Sequence, residues 1–82
     1  IVISASGNSK NVINAVEYVN SIDGDTVAFT GFSGGKLSKL AKYSVHTPNV
    51  KFDYGPIEDM HLIFMHIIIN FLSQDQDFLA IR

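Results

Sequence analysis

The chain has 82 residues, 46% of them apolar, with six Lys and Arg against eight Asp and Glu and no Cys. That length allows one domain, near the small end of what sustains a core of its own. A formal charge of -2 with the cations spread singly excludes the basic stripe that nucleic acid requires. The lack of Cys excludes disulfide and thiolate chemistry and fits a reducing cytoplasm. No membrane span is expected either: the most hydrophobic stretch, residues 62–72, is interrupted by His66 and Asn70 and falls short of the roughly 18 apolar residues a span needs.

The chain opens on Ile1, without Met, in an apolar run through Ile3 that reads as a strand. The expectation is that it forms the C-terminal part of a larger domain or leans on other subunits. Ser4-Ala5-Ser6-Gly7-Asn8-Ser9 follows, and then a segment with helical apolar spacing. Strand, small-residue turn and helix start make a site where amides without helical partners point outward together at the positive end of a helix dipole. The hydroxyls of Ser4, Ser6 and Ser9 add donors, and Gly7 would let the backbone come close to a ligand. This reads as a phosphate cradle. The plainer alternative is an ordinary capped helix, with Ser9 or Asn8 bonding the amides two or three residues on.

From Asn11 to Asn20, Val12, Ile13, Ala15, Val16 and Val19 describe an amphipathic helix with one buried stripe. Gly24 is the expected left-handed residue of the turn that closes it. Residues 26–30, β-branched, aromatic and largely apolar, predict a central strand covered on both faces. The Gly31-Phe32-Ser33-Gly34-Gly35 loop lacks the G-x-G-x-x-G spacing of a dinucleotide site and predicts a tight strand-to-helix link. A short helix over 36–42 and a short strand at 44–46, ended by Pro48, complete an alternation of strands and helices. This argues for a parallel sheet with helices on both faces, an α/β sandwich. Ligands in such sheets bind beyond the carboxyl ends of the strands, where the serine turn lies.

Pro56 fits the first position of a last helix, with Glu58 and Asp59 in its first turn complementing the dipole. From Ile57 to Leu72 nearly every residue is apolar. A helix apolar on all sides must be covered on all sides, which predicts an oligomerisation helix packed against copies of itself. Within it, Glu58, His61 and His66 are the candidates for chemistry. A lone His on an apolar helix is ordinarily a core imidazole satisfied by a neighbour. Glu58 and His66 differ by eight residues, about 12 Å of rise on a straight helix, so they do not easily reach one ion together. Either Glu58 sits at an irregular helix entrance or the site draws on two subunits; the subunit boundary also supplies the helix with a partner.

Ser4-Ala5-Ser6-Gly7-Asn8-Ser9 with Asn11-Val12 resembles the serine-turn signature of sugar isomerase (SIS) domains, most closely that of phosphoheptose isomerases. The resemblance continues through Val27-Ala28-Phe29-Thr30-Gly31, Gly34-Gly35-Lys36-Leu37 and Leu40-Ala41 to Ile57-Glu58-Asp59-Met60-His61 and His66. It implies a flavodoxin-like three-layer SIS fold, of which residues 1–82 would be the C-terminal part. It also implies aldose-ketose isomerisation of a phosphosugar, sedoheptulose 7-phosphate in the family, through an enediol. The implied phosphate and substrate positions are Ser4, Ala5, Ser6, Ser9 and Glu58; Ala5 stands where the family usually has Thr, which removes a hydroxyl. His66 is implied as the acid/base group, Glu58 and His66 as zinc ligands, and His61 in a supporting role. The family's second catalytic group, a glutamate, would precede residue 1. A cytoplasmic homotetramer is implied as well. Asp53-Tyr54-Gly55-Pro56 departs from the usual approach to the last helix, including an Arg, which leaves the sugar open.

Two other readings remain. A non-catalytic SIS domain would bind a sugar phosphate or a partner protein; the bacterial replication-initiator-associating relative shares the serine turn but lacks a His at the position of His66. The Glu58-Asp59-Met60-His61 stretch also has the E-x-x-H form of di-iron bundles, but the β-rich first half contradicts that architecture.

Overall fold

The computed structural model describes residues 1–49 and 53–74. Three strands, β1 (Val2–Ser4), β2 (Val27–Gly31) and β3 (Tyr43–Thr47), alternate with helices α1 (Lys10–Ser21) and α2 (Leu37–Leu40), and α3 (Tyr54–Leu72) follows. The strands form one sheet in the order β1-β2-β3, parallel throughout, with Ser4 beside Thr30 and Gly31 beside Thr47. All three carboxyl ends therefore lie on one edge, and the serine turn leaves from that edge.

β2 is the central strand the sequence predicts, with Ala28, Phe29 and Thr30 all fully buried. Side chains alternate across a strand, and each face of β2 has its own cover. Ala28 meets Val16 of α1 and Leu37 of α2, with Val2, Val12, Ile13, Leu40 and Ala41 packed around them. Phe29 faces α3, its ring 5.8 Å from that of His61 and 6.3 Å from that of Phe64. The helices thus cover both faces. Burying a side chain such as Phe29 or Leu37 contributes about 1.5–3 kcal/mol. Among the described residues, no helix is long and apolar enough to cross a membrane.

Several local expectations are corrected. Ala15 is exposed rather than part of the α1 stripe. Asp23, not Gly24, takes the left-handed conformation after α1, with φ 60. Gly24 is required because a Cβ there would meet the side chain of Val19. Helix α3 begins at Tyr54, so Pro56 is its third residue, still in the turn whose amides need no helical partner. Glu58 and Asp59 then lie beyond the first turn, which holds no acidic residue.

α3 descends along β2 through a regular set of contacts. The Tyr54 ring stands edge-on to Phe32 at 4.9 Å. Ile57 packs on Gly31, where a Cβ would collide with it. The His61 Nε2 lies 2.9 Å from the Thr30 carbonyl oxygen, and Phe64 follows on Phe29. Positions 54, 57, 61 and 64 form one helical face. Off that face the helix is exposed: Leu62, Ile63, Ile67, Ile69 and Phe71 are 48–73% accessible. An apolar helix covered on all sides is therefore not what one copy of the chain achieves.

Two glycines have opposite roles, which makes a test. Gly7 has φ 68, and a Cβ there would overlap the Gly34 carbonyl, whereas a Cβ at Gly55 of α3 meets nothing within 4 Å. Gly7→Ala should destabilise the full-length protein by at least about 1–3 kcal/mol. Gly55→Ala should instead stabilise it, by roughly 0.5–1 kcal/mol. Thermal or urea denaturation checks the opposite signs.

Candidate functional site

The serine turn is held by hydrogen bonds within itself. The Gly7 amide donates to the Ser4 carbonyl at 3.1 Å and lies 3.2 Å from Ser4 Oγ, and the Asn8 amide donates to Ser6 Oγ at 3.2 Å. Those two amides are spent, which corrects the expectation that the turn's amides all point outward. The amides of the first turn of α1 are in a different position. Ser9 is the N-cap residue, extended at φ -65 and ψ 121, and no side chain caps the helix. Ser9 Oγ is instead 3.1 Å from Ser4 Oγ, and Asn8 Oδ1 accepts from the Lys36 amide at 3.0 Å. Both residues of the plainer capped-helix reading are engaged elsewhere. The helix start keeps its partial positive charge and its unpaired donors.

The hydroxyls are arranged to complement those donors. Ser6 Oγ accepts from Asn8, so its own proton is left to donate. Ser4 and Ser9 share one hydroxyl-hydroxyl bond, which consumes only one of their two protons. Gly7 is explained by packing rather than by ligand approach: a Cβ at Gly7 would overlap Gly34, and one at Gly35 would overlap the Ser6 and Gly7 main chain. The Leu37 amide also donates to the Gly7 carbonyl at 3.0 Å. The loop after β2 thus acts as a backstop that fixes the turn's shape.

A cavity of about 370 Å³ lies on the α3 face of the sheet, lined by Ile3, Ala5, Glu58, His61, Leu62 and Met65. It brings together Ala5 of the turn and Glu58 of α3, two of the residues the sequence singles out. His66 is exposed and is not among the lining residues. His61 is: it is 2% accessible, one turn beyond Glu58, with Nε2 on the Thr30 carbonyl. The i, i+3 spacing of Glu58 and His61 was the available signal, since residues so spaced share a helix face. Two further polar residues escaped the sequence reading, Asn8 as the tether to Lys36 and Thr30, whose hydroxyl lies 3.1 Å from His46 Nδ1. Neither has a local pattern that marks it, because their partners lie 28 and 16 residues away.

A larger cavity, lined by Asn20, Asp23, Gly24, Leu40 and Lys42, sits at the opposite edge of the sheet. There Lys42 pairs with Asp25 at 2.6 Å, a hydrogen bond that raises the Lys42 pKa. It lies beside the amino ends of β2 and β3, away from the edge where parallel sheets bind ligands. Among the described residues, no three His, Asp or Glu side chains converge to hold a metal ion.

The SIS domain family matches residues 1–68. The chain belongs to the SIS-domain family. Relatives of this SIS domain include the phosphoheptose isomerase of Histophilus somni, 40% identical over 67 residues, which are 82% of this chain and 34% of that protein. The phosphoheptose isomerase of Vibrio parahaemolyticus is 36% identical over 76 residues, 92% of this chain and 39% of that protein. The solved phosphoheptose isomerase of Neisseria gonorrhoeae superposes with a TM-score of 0.76 at 33% identity, covering 84% of this chain and 39% of that one. The chain thus spans between a third and two fifths of the length of these relatives.

The tether between the turn and its backstop is open to test. Asn8→Ala removes the acceptor of the Lys36 amide and should cost about 0.5–1.5 kcal/mol, whereas Asn8→Asp, which keeps an acceptor oxygen, should cost less. Urea denaturation of the two variants measures the difference.

Proposed function

We propose that this SIS domain belongs to a sugar-phosphate isomerase that interconverts an aldose and a ketose phosphate through an enediol, acting on a phosphoheptose as its relatives' names suggest, with sedoheptulose 7-phosphate as the candidate. The observation that carries the reading is the uncapped α1 start beside the Ser4, Ser6 and Ser9 hydroxyls, next to the cavity that holds Glu58. A dianionic ester suits this seat: it accepts several hydrogen bonds at once and is favoured by the helix dipole. Ala5 would contribute main chain rather than a hydroxyl.

Isomerisation takes a proton from the carbon beside the carbonyl and returns one to the adjacent carbon, while negative charge passes through the enediol oxygens. Ser4, Ser6 and Ser9 would hold the phosphate and fix the sugar's reach. Glu58 would contact the sugar in the cavity. His66 would transfer a proton, as an imidazole is suited to do near neutral pH. In this chain His66 is exposed and does not line the Glu58 cavity, which supports a place for it at a subunit boundary. For zinc, Glu58 and His66 would be donors; about 12 Å of rise on a straight helix separates them, which favours a site shared between copies. A cytoplasmic location accords with the Cys-free composition.

The exposed apolar residues of α3 support a homo-oligomer, proposed as a tetramer, with this helix at the interface. Light scattering on the full-length protein should give a mass well above one subunit; a stable monomer would remove the interface and, with it, His66's role. For the chemistry, the full-length protein should isomerise sedoheptulose 7-phosphate, followed by NMR. His66→Ala should lower kcat by about 10²–10⁴-fold, and metal analysis of both proteins should show zinc reduced in the variant. Equal activity in the two would defeat the assignment of His66. The position of His66 also favours a second reading, a non-catalytic phosphosugar-binding domain, and calorimetric binding without turnover would select it.

A further inference from the structure

We propose that His61 is a positioning residue: its hydrogen bond to the Thr30 carbonyl fixes the rotation and axial register of α3, so that Glu58 faces the cavity beside Ala5. The inference rests on the reading above that Glu58 meets the sugar, and it adds a residue that acts through Glu58.

The bonding of His61 is that of an anchor. A carbonyl oxygen only accepts, so the 2.9 Å contact requires the proton on Nε2, donated to Thr30. The bare nitrogen is then Nδ1, which is buried and has no partner. One nitrogen is committed to Thr30 and the other is buried, an arrangement suited to anchoring rather than to moving a proton. Burying an acceptor unpaired is unfavourable, and an apolar side chain of similar size would fill the same space without that cost. The imidazole at position 61 offers what packing alone does not, a directional bond.

The contacts along α3 identify that function. Tyr54 on Phe32, Ile57 on Gly31 and Phe64 on Phe29 are contacts between apolar surfaces, which carry little directional information. The His61–Thr30 bond is directional. It reaches a buried residue of the central strand, whose own hydroxyl lies 3.1 Å from His46 Nδ1. Thr30 is therefore a rigid reference point, and the bond refers α3 to it. Slipping α3 by one residue would shift Glu58 by about 1.5 Å and turn it by about 100°, out of the cavity it shares with Ala5. Displacements of that size are enough to lower a reaction rate substantially.

A double-mutant cycle in the full-length protein tests this. His61→Phe keeps an aromatic ring against Phe29 but loses the donor, and should lower kcat/KM for the phosphosugar about tenfold. If His61 acts through Glu58, the same change in a Glu58→Ala background should cost less than about twofold. His61→Gln, which retains an N–H donor, should recover activity to within about threefold of the parent. Equal losses in both backgrounds, or a Gln variant as impaired as the Phe variant, would overturn the proposal, as would a Glu58→Ala change without effect. Should His61→Phe not fold, His61→Met replaces it in the cycle; failure of both to fold would make His61 a stability residue and nothing more. If the protein binds a phosphosugar without turning it over, the isomerase reading fails, and the same cycle run on calorimetric affinity still decides the role of His61.

Discussion

The main-chain contact between two glycine-bearing turns is the constraint on which the rest of the site depends. Gly7 and Gly35 bring the serine turn and the loop after β2 closer than any side chain would permit. The Gly7 carbonyl and the Asn8 side chain then accept the amides of Leu37 and Lys36. With Asn8 committed to the neighbouring loop and Ser9 to Ser4, the first turn of α1 has no side-chain cap. Uncapped donors normally reduce helix stability by about 1 kcal/mol. Here they leave a concentration of positive potential at the carboxyl edge of the sheet, beside hydroxyls with protons still to give. This is the feature on which the proposed anion seat rests.

The neighbours of the central strand are tied together through Thr30. Its side chain and main chain serve different layers, the hydroxyl meeting His46 of β3 and the carbonyl meeting His61 of α3. Because Thr30 is fully buried in the central strand, neither partner has much freedom to drift. Phe32 extends the same anchoring. It is held at φ 47, a conformation that costs a bulky residue of order 1–3 kcal/mol, and its ring meets Tyr54 at the entrance of α3. Aromatic edge contacts of this kind return about 0.5–1.5 kcal/mol, so the loop after β2 supports both the serine turn and the start of the last helix. The two halves of the proposed site, the anion seat and the Glu58 cavity, are thereby tied to one short loop and one strand.

The exposed side of α3 gives the chain a different character from that of a self-contained domain. Large apolar side chains left accessible forgo the roughly 1.5–3 kcal/mol each that burial would provide. Their concentration on a single helix, off the face that α3 lays on β2, separates the helix into a part packed on the sheet and a part available to other protein surfaces. His66 falls in the second part, which is the physical reason for assigning its chemistry to a neighbouring copy.

The alternation of strands and helices, the central position of β2 and the strand–turn–helix character of residues 1–12 were all legible in the amino-acid order. Each is written in local periodicity or in small-residue turns, and the covalent chain alone enforces those. The resemblance to SIS domains was legible for the same reason, since its blocks are local and occur in sequence. Which residues meet across the fold was not legible. Gly7 looked like a ligand-facing glycine until Gly34 was found against it, and Asp23 took the left-handed turn expected of Gly24. Above all, spacing treats His61 and His66 as equivalent imidazoles on one apolar helix. Only contacts between α3 and β2, Ile57 on Gly31 and His61 on the Thr30 carbonyl, 26 and 31 positions apart in the chain, bury His61 and leave His66 exposed. Periodicity specifies that a helix has a face, whereas the choice of which residue meets which strand atom belongs to contacts between distant segments, and those exist only once the chain has folded.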